Sequence, residues 1–307
     1  MDKNQPAPIS QSKLQAKAFS AVEPIFTVPF WMLSVIDKLE NHFHFITEAL
    51  YRHWPRKQPT PARLRSCRIV SHRGEHDNRS RFENTIDAFT AAADAGVWGV
   101  ELDVRWTRDL VPVVFHDANT LRLYQKDVYI ASITLDVLKK KFPVVPTLEE
   151  VIDHFGGRHH LMIEIKDEPY AAPCIQSRRM LDLLSGMTPG DDFHLMSLHP
   201  GLFDYFDRLP KRTFIPIARV RVDRFSRMAV ARRWGGLAGH FLALSNAVRD
   251  RHQHRGQGIG TGFADSKNCL YREVNREVDW IFSNRAATMQ TICSGYPPQN
   301  RAGRPRQ

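Results

Sequence analysis

Between Ile69 and Asp117 this chain repeatedly ends a short apolar run on ionisable residues. Ile69-Val70-Ser71 runs into His72-Arg73-Gly74, Val100 opens onto Glu101-Leu102-Asp103-Val104, and Val111–Phe115 leads to His116-Asp117. Downstream, Leu161–Ile163 leads into Glu164-Ile165-Lys166. In extended backbone, residues i and i+2 share a face. Glu101 and Asp103 therefore point the same way, as do Glu164 and Lys166. Burying uncompensated charge costs several kcal/mol per ion, roughly, so these residues make a poor core. They demand a fold that gathers strand ends from distant stretches at one place. Parallel strands with intervening helices do this, with the site at the C-terminal strand ends.

The rest of the chain supplies that alternation. Strand candidates are Cys67–Ser71, Val100–Val104, Val111–Phe115, Leu161–Ile165, His194–Leu198, Phe214–Ala218, Phe241–Leu244, Gly258–Phe263 and Trp280–Ser283. Helix candidates are Thr85–Ala95, Leu135–Lys140, Thr147–His154, Ser177–Leu184, Arg224–Arg233 and Asn268–Arg276. Gly96 suits a C-terminal cap, and Thr147 with Glu150 forms a capping box. Of 307 residues, about 250 suffice for a single α/β barrel. The expected fold is a TIM-type (β/α)8 barrel over residues 61–292. It is preceded by a flexible N-terminus with an amphipathic helical extension (1–60) and followed by a disordered basic tail (293–307). Nine strand candidates exceed the eight a barrel needs, so at least one is a loop or an extra strand. An open doubly wound sheet is the competing architecture.

In the extension, apolar residues recur at Leu33, Ile36, Leu39, Phe43, Ile46 and Leu50, the spacing of one helical face. The expectation is a helix packed on the barrel or on a second copy. The alternative is an interfacial helix carrying Phe26, Phe30 and Trp31 to a membrane surface. Pro24–Ile36 is too short to span a bilayer and no secretory leader is evident, so a cytoplasmic location is expected, with peripheral membrane association as the alternative. The net charge of +10 favours anionic partners. No aromatic-plus-basic motif or recognition helix points to nucleic acid. The four cysteines lack metal-type spacing and read as reduced thiols.

Three carboxylates on strand ends, Glu101, Asp103 and Glu164, form an oxygen-only set suited to one divalent cation, Mg²⁺ or Ca²⁺. A salt-bridge network with Arg73, Arg105 and Lys166 is the purely structural alternative. His72 and His116 have the chemistry of a general base and a general acid. Arg73 and Lys166 suit a phosphate, the first as a fork and the second as a point charge.

In order, these pieces resemble the glycerophosphodiester phosphodiesterase family: His-Arg-Gly at His72, Glu-Asn-Thr at Glu83, Glu-x-Asp-Val at Glu101, His-Asp at His116, and Ile-Glu-Ile-Lys at Ile163 after Pro-Thr-Leu-Glu-Glu. The resemblance runs from Cys67 to Lys166. It implies an α/β barrel with a divalent metal on Glu101, Asp103 and Glu164, acid–base catalysis by His72 and His116, and Arg73 and Lys166 near the phosphate. The expected reaction is hydrolysis of a glycerophosphodiester to glycerol 3-phosphate and an alcohol. Water or a neighbouring glycerol hydroxyl would be the nucleophile. The alternative is phospholipase-D-like cleavage of lysophospholipids or sphingolipids at a membrane; a third reading is a non-catalytic binding barrel. The chain departs from the family at Phe82, where proline is usual. It departs again at Gly260-Thr261-Gly262-Phe263, in place of Trp-Thr-Val-Asn, and at Ser283-Asn284, in place of Thr-Asp. The glycine run from Gly256 reads as a mobile loop near the site.

Overall fold

The computed structural model describes residues 46–295. The strands are β1 (Ile69–His72), β2 (Gly99–Trp106), β3 (Pro112–Val114), β4 (His160–Ile165), β5 (Phe193–Ser197), β6 (Phe214–Ala218), β7 (Gly236–His240), β8 (Gly258–Gly262) and β9 (Trp280–Ser283). Eight of them pair in parallel in the order β1-β9-β8-β7-β6-β5-β4-β2. The β1–β2 pairing closes the ring, so the fold is a TIM-type barrel and not an open sheet. The surplus strand is β3. It lies antiparallel on β2, with Val104 opposite Val114, as a hairpin folded over the rim.

Local chemistry sets the helices between the strands. Thr60, Thr85, Thr134, Thr147, Ser245 and Ser266 each accept a backbone N–H at a helix start, a contribution of about 1 kcal/mol apiece. Thr147 and Glu150 complete the expected capping box. Strands covered on both sides are continuously apolar rather than alternating, and β4 is buried at all six positions. Outward-facing Ile69, Leu102, Ile163 and Leu195 pack under the helices.

Inside the barrel the side chains form layers. A middle layer of Val70, Met162, Met196, Ile215, Ala238 and Phe282 is buried and apolar. Two residues beyond Val70 and Met162 come His72 and Glu164, with Asp103 of β2 level with Glu164; two residues before Met162, Met196 and Phe282 come His160, His194 and Trp280. The apolar layer thus separates two polar mouths.

Several expectations need correction. The seventh strand is Gly236–His240, not Phe241–Leu244; the latter stretch turns, with Ala243 and Leu244 amides returning to the His240 carbonyl. The shorter apolar run lost because a barrel interior this crowded takes glycine and alanine. The glycine run is not a loop by the site: Gly258–Gly262 is β8. A Cβ on Gly258 would lie 2.3 Å from the Trp280 ring, and one on Gly260 2.8 Å from the Phe282 ring, so these glycines make room for aromatic side chains of β9. The helix expected from Ser177 already starts at Pro173, and a final helix, Ala286–Ser294, had not been expected.

Residues 46–53 are helical, but they do not bury the apolar stripe. Thr47 and Glu48 are buried and Tyr51 packs edge-on against Phe241, while Ile46, Leu50 and Trp54 are 55 %, 65 % and 65 % exposed. The remainder of the expected N-terminal helix, with Phe26, Phe30 and Trp31, and the tail after Gly295 lie outside the described residues. Among the described residues no helix is long and apolar enough to cross a membrane.

Candidate active site

Strand register brings the acidic residues together. Asp103 on β2 pairs with Glu164 on β4, and Glu101 pairs with His72 of β1 on its other edge. Glu101, Asp103 and Glu164 are buried, and each offers one carboxylate oxygen within 4.8 Å of the other two. His72 Nε2 lies 3.8 Å from Glu101 Oε2. The Arg73 amide donates to Glu101 Oε2 at 3.1 Å, and Arg73 Nε lies 3.3 Å from Asp103 Oδ2. Lys166 Nζ sits between Asp103 Oδ1, at 2.6 Å, and Glu164 Oε1, at 2.7 Å. All the expected site residues on β1, β2 and β4 therefore meet at one mouth. His116 arrives differently. It follows the β3 hairpin, whose Phe115 amide donates to the Asp103 carbonyl, and Arg105 Nε donates to the His116 carbonyl at 2.8 Å.

The motif Glu83-Asn84-Thr85 is a brace for these groups. Glu83 accepts from Arg73 Nη1 at 3.0 Å, from Asn78 at 2.7 Å and from both terminal nitrogens of Arg122. Asn84 Nδ2 donates to Asp103 Oδ2 at 2.8 Å, while its Oδ1 accepts the Asp103 amide. Thr85 caps the following helix. Arg73 and Asn84 both hold positive φ, 58° and 57°, a conformation that persists only where neighbours over-determine it. At Gly74, φ is +78° and a Cβ would strike Ala88 at 2.7 Å, so glycine lets that helix approach the strand end.

Electrostatics separates the carboxylates. Burial, reinforced by Asp103 and Glu164, pushes Glu101 well above the usual carboxylate range. Burial also penalises Asp103, but Lys166, His116 and Arg73 overcome it and hold Asp103 well below that range. Glu83 likewise is held low by Arg122 and Arg73 against its burial. With Glu83 engaged by Arg122, two cations face three mutually repelling carboxylates. A divalent cation relieves such a cluster, and the all-oxygen donor set fits Mg²⁺ or Ca²⁺ rather than Zn²⁺.

The histidines carry different partners. His116 Nδ1 lies 2.7 Å from Asp117 Oδ1, and Asp117 is in turn held by Arg122 Nε at 2.6 Å. His72 Nδ1 lies 2.7 Å from Asn284 Oδ1. Asn284 is fixed by Asp265, which accepts its backbone amide at 2.8 Å, its Nδ2 at 3.0 Å and the Ser283 hydroxyl at 2.8 Å. Both partners are acceptors, so Nδ1 carries the proton and Nε2 is the reactive nitrogen of each ring. Burial and then Arg73 lower the His72 pKa well below its ordinary value; burial, Arg73 and Lys166 lower that of His116 to about 4. Phe263 packs its ring 4.4 Å from that of His72.

Sequence reasoning missed the braces. Glu83 and Asn84 stood inside a quoted motif without a role, and Asn284 was quoted as a departure from the family's Thr-Asp, not as a partner of His72. Asp265 and Arg122 carried no local signal, because only the folded chain brings them to the site.

Comparison with known proteins follows the same stretch. The model of the glycerophosphoryl diester phosphodiesterase family matches residues 72–259, and the chain belongs to that family. A glycerophosphodiester phosphodiesterase of Caldanaerobacter subterraneus is 35 % identical over 36 % of this chain and 49 % of its own length. Mouse glycerophosphodiester phosphodiesterase 1 is 33 % identical over 31 % of each. The alignments thus span about half or less of these relatives. Among solved structures, the Thermotoga maritima glycerophosphodiester phosphodiesterase is 23 % identical with a TM-score of 0.63, covering 74 % of this chain and 98 % of that one. An Oleispira antarctica phosphodiesterase in complex with its product sn-glycerol-3-phosphate is 20 % identical with a TM-score of 0.61, covering 73 % and 95 %. These structures share the barrel fold.

Proposed function

We propose that this protein hydrolyses glycerophosphodiesters to glycerol 3-phosphate and an alcohol, using one divalent cation held by Glu101, Asp103 and Glu164. The observation that carries the reading is the convergence of three buried carboxylates with His72, His116 and Arg73 at one barrel mouth. Family membership and the names of the relatives support the substrate class. When bound, the cation supplies Lewis-acid polarisation of a phosphoryl oxygen. Arg73, braced by Glu83, and Lys166 face the charge that develops on phosphorus oxygens.

The two histidines divide the proton work. His72 bonds a neutral amide, and burial with Arg73 outweighs the pull of Asn284 and Asp103 toward its imidazolium, so Nε2 acts as the base that takes a proton from water or a glycerol hydroxyl. His116 bonds the Asp117 carboxylate, which stabilises an imidazolium, so its Nε2 acts as the acid that protonates the leaving alkoxide. An anionic phosphodiester beside His116 counters the depression caused by Arg73 and Lys166. The test is choline release from glycerophosphocholine with and without chelator. Turnover that ignores the chelator, or full activity in His72→Ala, overturns the mechanism.

A second reading, cleavage of lysolipids at a membrane surface, is favoured by the exposed stripe Ile46, Leu50 and Trp54 at four-residue spacing. Co-sedimentation of the full chain with lysophosphatidylcholine-containing vesicles tests it. Equal pelleting of wild type and Leu50→Glu/Trp54→Glu removes it.

A further inference from the structure

We propose that the N-terminal mouth of the barrel, opposite the candidate active site, binds a multiply charged phosphate anion. This goes beyond the reading above and does not depend on it. A cleft of about 830 Å³ opens at this mouth. Its lining comes from the starts of the barrel strands, and none of the candidate active-site residues takes part. The buried apolar layer of Met162, Met196 and Phe282 stands between the two mouths, so the cleft is not the far end of a substrate tunnel.

Four arginines rim the cleft, Arg68, Arg212, Arg233 and Arg255, against two aspartates. Asp191 lies 3.4 Å from Arg212, and Asp279 accepts the Ile259 amide at 2.8 Å. Among the described residues, Arg233 and Arg255 have no carboxylate partner, while Arg68 acts through space on the Asp279 carboxylate. Four guanidinium groups that close around one concavity holding only two carboxylates suit an anion with several oxygens, which each can grip in bidentate fashion. The floor adds order. His160 Nδ1 donates to the Asp191 carbonyl at 2.9 Å, and its Nε2 lies 2.7 Å from His194 Nδ1. Trp98 stacks on His160 at 4.3 Å and lies under Arg68 at 5.3 Å. The Trp98 ring is already covered, so the cleft reads charge rather than a stacked base.

Arg233 gives the clearest experimental handle. It occupies the left-handed C-cap position of the helix Val222–Arg232, at φ 55°. Glycine is the residue that position ordinarily takes. Arg233→Gly therefore removes a charge from the rim while suiting the backbone.

The test is calorimetric titration of the full chain with inorganic pyrophosphate, without added metal. Parallel measurements use Arg233→Gly, Arg68→Gln/Arg233→Gly and Arg73→Gln. The double variant is expected to bind at least roughly tenfold more weakly, with glycerophosphocholine hydrolysis within twofold of wild type. Arg233→Gly alone is expected to weaken binding without lowering the melting temperature, and Arg73→Gln to retain the pyrophosphate site. Co-sedimentation with phosphatidylcholine vesicles, with and without phosphatidate, identifies the source. Arginine-dependent binding of pyrophosphate marks a free anion; arginine-dependent binding of phosphatidate vesicles alone marks a lipid headgroup. Failure to bind either probe, identical binding by wild type and the double variant, or complete loss in Arg73→Gln overturns the proposal.

Discussion

The two mouths of this barrel are built from the same side-chain types and differ in how the charges are housed. At the C-terminal mouth, acids and bases are buried and locked pairwise: Arg73 on Asp103 and Glu83, Lys166 on Asp103 and Glu164, Asn84 on Asp103. At the N-terminal mouth the cations are exposed at the rim, above two buried histidines whose pKa values burial lowers to about 4 for His160 and about 3 for His194. Buried opposite charges hold one another in place, so the first mouth is pre-organised for a reaction. Exposed like charges repel and remain solvated, so the second suits reversible capture of an anion. The difference arises along single strands: on β4, His160, Met162, Glu164 and Lys166 face inward in succession, and each mouth receives one end.

The sharpest way to break this contrast is to remove a buried partner. Glu164→Ala should lose cation binding, and His72→Ala should cut glycerophosphocholine turnover by roughly a hundred- to ten-thousand-fold. Residual activity near wild type in either would mean that the buried cluster is structural. A brace comes next. Glu83→Gln keeps the volume but loses the charge that holds Arg73 and Arg122. It should cost roughly tenfold to a hundredfold in kcat/KM with the melting temperature little changed. A large loss of melting temperature without a kinetic effect would assign Glu83 to folding alone.

The apolar layer and the floor beneath it can be tested through stability. Gly258→Ala places a methyl group against Trp280, and overpacking of this kind costs about 1–3 kcal/mol. Thermal unfolding should show it, and an unchanged midpoint would mean the aromatic ring has room to move. The smallest effect expected is acid lability. His160, His194 and His252 are buried with pKa values lowered below the ordinary 6.5. Below pH 6.5 the unfolded chain takes up protons that the folded chain refuses. Stability contributed by these residues is therefore complete above pH 6.5 and lost as pH falls toward about 4. His252, bonded to Ser226 at 2.9 Å in the helical layer, reports this away from either mouth. Melting curves between pH 7.5 and 4.5 for wild type and His252→Gln should converge at the acid end; parallel curves would contradict the assignment.

How much was legible in the sequence depended on whether the signal was local. The alternation around Glu101-Leu102-Asp103 and Glu164-Ile165-Lys166 places side chains on a shared face wherever those strands sit, so the acidic cluster was readable. The capping box at Thr147 was readable for the same reason. The seventh strand was misplaced because Gly236-Leu237-Ala238-Gly239-His240 has little apolar weight, whereas Phe241–Leu244 has much. In a crowded barrel, small residues are what an inward face requires. Glu83 was visible as a motif letter and invisible as a brace, since its partner Arg122 is 39 residues away.

By itself, then, the order of residues determined the alternation of strands and helices, the facing of Glu101 with Asp103 and of Glu164 with Lys166, and the helix caps, because each rests on neighbours within a few bonds. Only the closed ring decided that β3 lies outside it, that Asn284 and Asp265 reach His72 from the other end of the chain, and that four unrelated arginines share one rim. Those outcomes depend on which strands become neighbours, and pairing between distant segments is settled by packing the whole barrel at once.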